Sequence, residues 1–159
     1  MRNAIHFLKK PDKIFLILHN IRSLHNVGSI FRTADAAGVS KIYLTGYTPD
    51  PSQKTALGAE KFVPCERKRD ISKLIKELKK LKIKIIALEQ SKKSIDYRKF
   101  KPKFPLALIL GNEVRGLSSA ILKKCDAVIQ IPMKGRKESL NVSVAAGISL
   151  FELIRSFGD

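Results

Sequence analysis

Five short runs dominated by apolar residues constrain this chain more than any other feature. They are Ile14-Phe-Leu-Ile-Leu18, Lys41-Ile-Tyr-Leu-Thr45, Ile83 to Leu88, Leu106 to Leu110 and Ala127 to Ile131. Ile14–Leu18, continuously apolar and too short for a helix, suits a strand buried on both faces, and the other four read as further short strands. Helical patterns lie between them. Asn26 to Ala37 carries Ile30, Phe31, Ala34 and Ala37 on one stripe, with Gly38 as a stop signal. Asp70 to Leu81 opens on a capping aspartate and sets Ile71, Leu74, Ile75, Leu78 and Leu81 at helical spacing opposite a lysine-rich face. A short helix is expected around Ser118–Lys124, and a last one from Asn141 to Phe157. The order β-α-β, α-β, β-α-β predicts an α/β domain with a mainly parallel sheet flanked by helices. Gly46 to Cys65, with three prolines and two glycines, reads as a long loop with short helical turns. At 159 residues, one domain over residues 1–159 is expected.

Thirty-one Lys and Arg against 14 Asp and Glu give a net charge of +17, which makes a polyanion the first partner to consider. The basic residues run through both halves, and the densest stretch, Glu66 to Phe104, holds 15 of them against 5 acidic ones. That stretch is the expected phosphate-tracking face. Hydrophobic residues at 44% exclude a disordered basic tail. Cys65 and Cys125 lack CxxC spacing, and His6, His19 and His25 lack zinc-site spacing, so no metal site is expected. With no Trp and three Tyr there is little sign of a base-stacking platform. Neither a signal-peptide pattern nor a run of about 18 apolar residues occurs, so a soluble cytoplasmic protein is expected.

Parallel sheets bind ligands beyond the carboxyl ends of their strands, which directs attention to three segments. The first, His19 to Arg32, ends a strand and leads into a helix that Asn26 could cap, with Arg32 two turns in. The second is Leu110-Gly-Asn-Glu-Val-Arg-Gly-Leu117, where Gly111 and Gly116 permit close backbone approach and Glu113 is a pure acceptor when ionised. The third runs from Ile131-Pro-Met133 to Ser139-Leu-Asn-Val-Ser143, a strand end and basic loop before the last helix. No GxGxxG, Walker A or Gly-x-Ser-x-Gly pattern is present, which argues against dinucleotide binding, P-loop chemistry and a serine nucleophile.

Taken together, Asn26-Val-Gly-Ser-Ile-Phe-Arg-Thr-Ala34, Gly111-Asn-Glu-Val-Arg-Gly116 and Ile131-Pro-Met with Ser139-Leu-Asn-Val-Ser143 resemble the three ordered motifs of the SpoU (TrmH-like) branch of the SPOUT RNA methyltransferases. The resemblance covers about residues 14–153, and Lys54 to Glu60 and Ala87 to Ser91 also look like stretches of that branch. It implies a C-terminal deep trefoil knot, an exception to ordinary un-knotted topology. It also implies S-adenosylmethionine bent in that knot and held mostly by backbone groups, with Leu88, Gly111, Ile131, Met133, Ser139 and Leu140 as its wall. The implied reaction is methyl transfer to a ribose 2′-hydroxyl of RNA, with tRNA preferred to rRNA. By motif position Arg32 is the central catalytic residue, Asn26 supports it, Glu113 shapes the site, and Ser139 and Asn141 hold the substrate end. A guanidinium is a poor general base at pH 7, so Arg32 is expected to orient the phosphate and polarise the hydroxyl, the proton leaving to a phosphate oxygen or water. No metal is required. The family implies a homodimer in which the arginine is presented near the partner's cofactor. The principal rival is a knotted RNA-binding or ribosome-assembly factor without transfer activity.

Overall fold

The computed structural model describes residues 13–158, so residues 1–12 and 159 of the expected domain, with His6, lie outside the described residues. Seven strands form: β1 (Ile14–His19), β2 (Lys41–Thr45), β3 (Cys65–Lys68), β4 (Lys84–Leu88), β5 (Ile95–Asp96), β6 (Leu106–Leu110) and β7 (Ala127–Gln130). They join in one sheet of order β3-β2-β1-β6-β4-β7-β5, with every pairing parallel. The helices are α1 (Leu24–Ala36), α2 (Gln53–Ala56), α3 (Ile71–Lys80), α4 (Ser119–Leu122) and α5 (Val142–Ile154), with 3₁₀ turns at Ala59–Lys61 and Arg155–Gly158.

The apolar runs all become inner strands; β1, β2, β4 and β6 are buried along most of their length, whereas in β7 only Ile129 is fully buried. Along β1, Ile14, Leu16 and Leu18 point to one face and join Val27, Ile30 and Phe31 of α1 and Ala146, Leu150 and Leu153 of α5. Phe15 and Ile17 point to the other face, against Leu74, Ile75 and Leu78 of α3 and Leu117 and Ile121 near α4. All five β1 residues from Ile14 to Leu18 are fully buried. At roughly 1.5–3 kcal/mol for each such side chain removed from water, this double-sided burial is what fixes the strand.

Several boundaries differ from the sequence expectation. Helix α1 starts at Leu24, because Ser23 and not Asn26 is its N-cap: the Ser23 hydroxyl accepts from the Asn26 amide at 3.2 Å. The last helix ends at Ile154 and continues only as a 3₁₀ turn. Strands β3 and β5 were not anticipated, since Cys65-Glu-Arg-Lys68 carries no apolar signal and Ile95–Asp96 is two residues long. Both are held by main-chain pairing to a neighbour. Asp70 caps α3 as expected, accepting from Ser72 and Lys73 amides.

Sheet order places the site. From β1 the chain moves outward to β2 and β3, while β6 pairs on the opposite side of β1. The crevice beyond the carboxyl ends of β1 and β6 is therefore a topological switch point, where ligands of open α/β sheets bind. Strand β6 slots between β1 and β4, and β7 between β4 and β5, so the loops after β4, β6 and β7 converge at the same edge.

Candidate functional site

A cleft of about 180 Å³ opens at that edge. All six residues expected to form a cofactor wall, Leu88, Gly111, Ile131, Met133, Ser139 and Leu140, line it, together with Glu113. The walls mix apolar side chains with polar ones, among them Glu89, Gln90 and Gln130. Among the described residues, the main chain of 132–140 makes no intramolecular hydrogen bond. Residues 134–140 are exposed, so these main-chain groups are hydrated and available to exchange water for a ligand. Apolar walls that could take an adenine ring, main-chain groups that could meet its edge and a ribose, and the lining carboxylates Glu89 and Glu113, opposite in charge to a sulfonium, together fit S-adenosylmethionine.

Two glycines make the loop after β6 possible. A Cβ on Gly111 would stand 2.7 Å from Leu117 Cγ, too close for any real side chain. Gly116 has φ of +63°, and a Cβ there would strike the Glu89 carboxylate. Glu89 is held there because its Oε2 accepts from the Leu117 amide at 2.8 Å and its Oε1 from the Gln90 amide at 3.0 Å. Sequence reasoning assigned Glu89 no role. The available signal was a carboxylate one residue past a buried strand.

Glu113 organises the opposite wall. Its carboxylate accepts from the Arg22 amide at 3.1 and 3.0 Å, from the Ser23 amide at 3.1 Å and from Asn26 Nδ2 at 3.1 Å. Burial alone would raise its pKa, but the Arg22 amide, the Asn26 side chain and the Ser23 amide outweigh that and hold it below its ordinary value of 4.5. Asn26 in turn accepts from Asn141 Nδ2 at 3.1 Å, and Asn141 caps α5 by accepting from the Ser143 amide at 2.8 Å. Three of the five expected catalytic residues, Asn26, Glu113 and Asn141, are thereby one hydrogen-bonded chain joining α1, the β6 loop and α5. Ser139 lies on the cleft wall.

Arg32 stands apart. It is exposed on α1 and lines a separate shallow depression with Ser29, Thr33, Ala36 and Phe151. Beside it runs an apolar stripe on α5, with Val144 50%, Ile148 37% and Phe151 50% exposed. The dense basic stretch is partly neutralised: Glu66 pairs with Lys68 and Lys41, Glu77 with Lys68, and Asp96 with Arg98. Lys73, Lys76 and Lys80 on the outer face of α3 remain exposed. Both cysteines are free, and burial pushes the Cys125 thiol up to about 11. Among the described residues no group of three or more His, Cys, Asp or Glu could hold a metal, and no helix is long and apolar enough to cross a membrane.

Comparison with known proteins gives the family of the chain. The SpoU rRNA methylase family profile matches residues 13–151. The chain belongs to that family. It is 36% identical over 152 residues to a Bacillus subtilis (strain 168) protein of the TrmH tRNA/rRNA methyltransferase family, covering 92% of this chain and 60% of that one. The chain therefore spans about three-fifths of that curated relative. The structure of the A. aeolicus TrmH/SpoU tRNA modifying enzyme superposes with a TM-score of 0.85 at 32% identity, covering 99% of this chain and 83% of that chain. The AdoMet-bound rRNA methyltransferase of Sinorhizobium meliloti gives 0.84 at 33% identity, over 93% of this chain and 58% of that one. Family membership accounts for the α/β fold, its parallel sheet and the motif order.

Proposed function

We propose that this SpoU family chain is an S-adenosylmethionine-dependent RNA methyltransferase that modifies a ribose 2′-hydroxyl, acting as a homodimer in the cytoplasm. The observation that carries the reading is the convergence of all six wall residues and Glu113 on one cleft at the switch point of the sheet. The insertion of β6 between β1 and β4, and of β7 between β4 and β5, supports a deep trefoil knot in the C-terminal part.

When bound, S-adenosylmethionine supplies a methyl group on a positively charged sulfonium. Leu88, Ile131, Met133 and Leu140 exclude water around it, while the main chain of Gly111 and of residues 132–140 supplies hydrogen bonds. Glu113, ionised at neutral pH, fixes the Arg22–Ser23 turn and Asn26, so the cleft edge is rigid before substrate arrives. Ser139, on the cleft wall, and Asn141, bonded to Asn26, hold the substrate end. Arg32 grips the phosphate next to the target ribose and polarises its hydroxyl, whose proton passes to a phosphate oxygen or water.

Arg32 lies in a depression apart from its own chain's cleft, which supports a dimer in which each chain's Arg32 serves the partner's cleft. The Val144, Ile148 and Phe151 stripe, at i, i+4 and i+7 of α5 and next to Arg32, is the surface that supports pairing with a second copy. For the RNA class the similar proteins divide between tRNA and rRNA, and the match to the A. aeolicus TrmH/SpoU tRNA modifying enzyme, 83% of whose length this chain covers, supports tRNA. The deciding assay is transfer of radiolabelled methyl to purified tRNA and rRNA by wild type and Arg32→Ala, followed by nucleoside analysis. Arg32-dependent label in a 2′-O-methyl nucleoside is the expected result. S-adenosylmethionine binding without transfer to either pool would instead favour an inactive RNA-binding or assembly factor, and absence of binding would overturn the reading.

A further inference from the structure

Tyr47 is a feature of the cleft edge that the mechanism above leaves unused. It follows β2, whose carboxyl end lies at the same edge of the sheet as the cleft, and it is 59% exposed. Exposed tyrosines on loops ordinarily move, but this one is clamped at both ends. Its amide donates to Asn20 Oδ1 at 3.1 Å, and the same Asn20 side chain fills the space beside Gly46 that a Cβ would take. At the far end its hydroxyl accepts from Asn112 Nδ2 at 2.9 Å.

Asn112 is a buried amide between the cleft residues Gly111 and Glu113. It also donates to the Asn20 carbonyl at 2.9 Å and accepts from the Val114 and Arg115 amides at 2.9 and 2.8 Å. The tyrosine ring is thus fixed to the cleft wall through one side chain while much of its surface stays in water. Arg115, on the loop that Asn112 holds, and Arg22, two residues beyond Asn20, are both exposed and form no ion pair among the described residues. An exposed ring held at both ends, on loops tied to segments that carry two arginines outside any ion pair, is a combination suited to single-stranded nucleic acid, the ring stacking on a base and the cations holding its phosphates.

We infer that Tyr47 is a stacking platform for an unpaired RNA base next to the methylated nucleotide, with Arg22 and Arg115 on the flanking phosphates. This rests on the RNA-methyltransferase reading and adds a positioning residue to it. A ring is sequence-tolerant, so Tyr47 selects an unpaired base over a paired one and leaves base identity to other contacts.

The test uses the full chain with S-adenosylmethionine and whichever of total tRNA or rRNA accepts methyl from wild type. Tyr47→Leu removes the aromatic face and should raise the KM for RNA by roughly 5- to 150-fold, the range that loss of one stacked base gives, with kcat within about threefold. Tyr47→Phe keeps the ring and loses the bond to Asn112, and Tyr47→Trp enlarges the ring; both should stay within about threefold of wild type. S-adenosylmethionine affinity should be unchanged in all three. With no Trp in the chain, tyrosine emission gives a second readout: RNA should quench it in wild type and much less in Tyr47→Leu. Wild-type transfer with an unimpaired Tyr47→Leu overturns the platform alone. Equal impairment in Tyr47→Phe and Tyr47→Leu also overturns it, by assigning the effect to the hydroxyl's structural bond. Failure of wild type to methylate either RNA overturns the underlying reading as well.

Discussion

Replacing Glu113 by Gln probes the joint between α1, the β6 loop and α5, and its consequence can be worked out from the donors around it. The Arg22 amide faces both carboxylate oxygens, at 3.1 and 3.0 Å, while Oε1 also takes the Ser23 amide and Asn26 Nδ2. Whichever way a glutamine amide is turned, its NH2 meets the Arg22 N–H, donor against donor. One bond to a charged acceptor is lost outright and the others become neutral. Hydrogen bonds to charged groups contribute about 1.5–3 kcal/mol. Because Arg22 is exposed and water can partly replace the carboxylate, the lower part of that range applies, about 1.5–2 kcal/mol. In a chain of this size each kcal/mol moves Tm by about 2–4 °C, so a drop of about 3–8 °C is expected.

The pH dependence provides the sharper check. Glu113 has a folded pKa below its ordinary 4.5. Its contribution is therefore fully present above about pH 4.5 and disappears as pH falls through the lowered folded value. Urea denaturation of wild type and Glu113→Gln should show a constant stability gap from about pH 5 to 8 that closes under more acidic conditions. Glu138→Gln, an exposed carboxylate in the loop before α5, is the control and should stay within about 0.5 kcal/mol of wild type. A Glu113→Gln gap at pH 7 no larger than the control's, or one that widens on acidification, would refute the assignment of Glu113 as the hub of this network.

The other predictions concern single features. Gly116→Ala forces an L residue to φ of +63° and displaces Glu89 from the Leu117 amide; a loss of about 1–3 kcal/mol is expected in urea titration, with weakened S-adenosylmethionine binding. Asp70→Ala removes the α3 cap and should cost about 1 kcal/mol while leaving cofactor affinity, read by calorimetry, at the wild-type value. Phe151→Glu places a charge in the apolar stripe and should convert a dimer to a monomer in sedimentation, abolishing methyl transfer; a fully active monomer would remove the argument that Arg32 serves a second copy.

How far the sequence could be read depends on which physical signal each feature leaves. Inner strands such as Leu106–Leu110 are legible because burial on both faces demands a continuous apolar run, and α3 because its apolar stripe faces lysines. The edge strand Cys65–Lys68 leaves no such trace: its residues alternate between exposed and half-buried, and it exists only because β2 offers a free main-chain edge. The cap of α1 was misplaced for a related reason. Ser23 and Asn26 are both good capping residues, and only the contact to Glu113, 87 residues away, diverts the Asn26 side chain from the helix end. Glu89 and Tyr47 acquire their places from loops that meet only after β6 has entered between β1 and β4, a long-range event with no local pattern.

The separation of Arg32 from the cleft, by contrast, follows from the motif spacing. Asn26 and Arg32 are six residues apart on one helix, and at about 100° per residue they point about 120° apart around its axis. With Asn26 tied to Glu113 at the cleft edge, Arg32 must face elsewhere, and it emerges beside Phe151 on the far side of the α1–α5 pair. On a straight helix such an offset turns the two side chains towards different surroundings. The proposed homodimer would accommodate this separation by letting each α1 serve its own cleft through Asn26 and its neighbour's through Arg32, so loss of transfer in a monomeric Phe151→Glu chain is the result that links the spacing to the reaction.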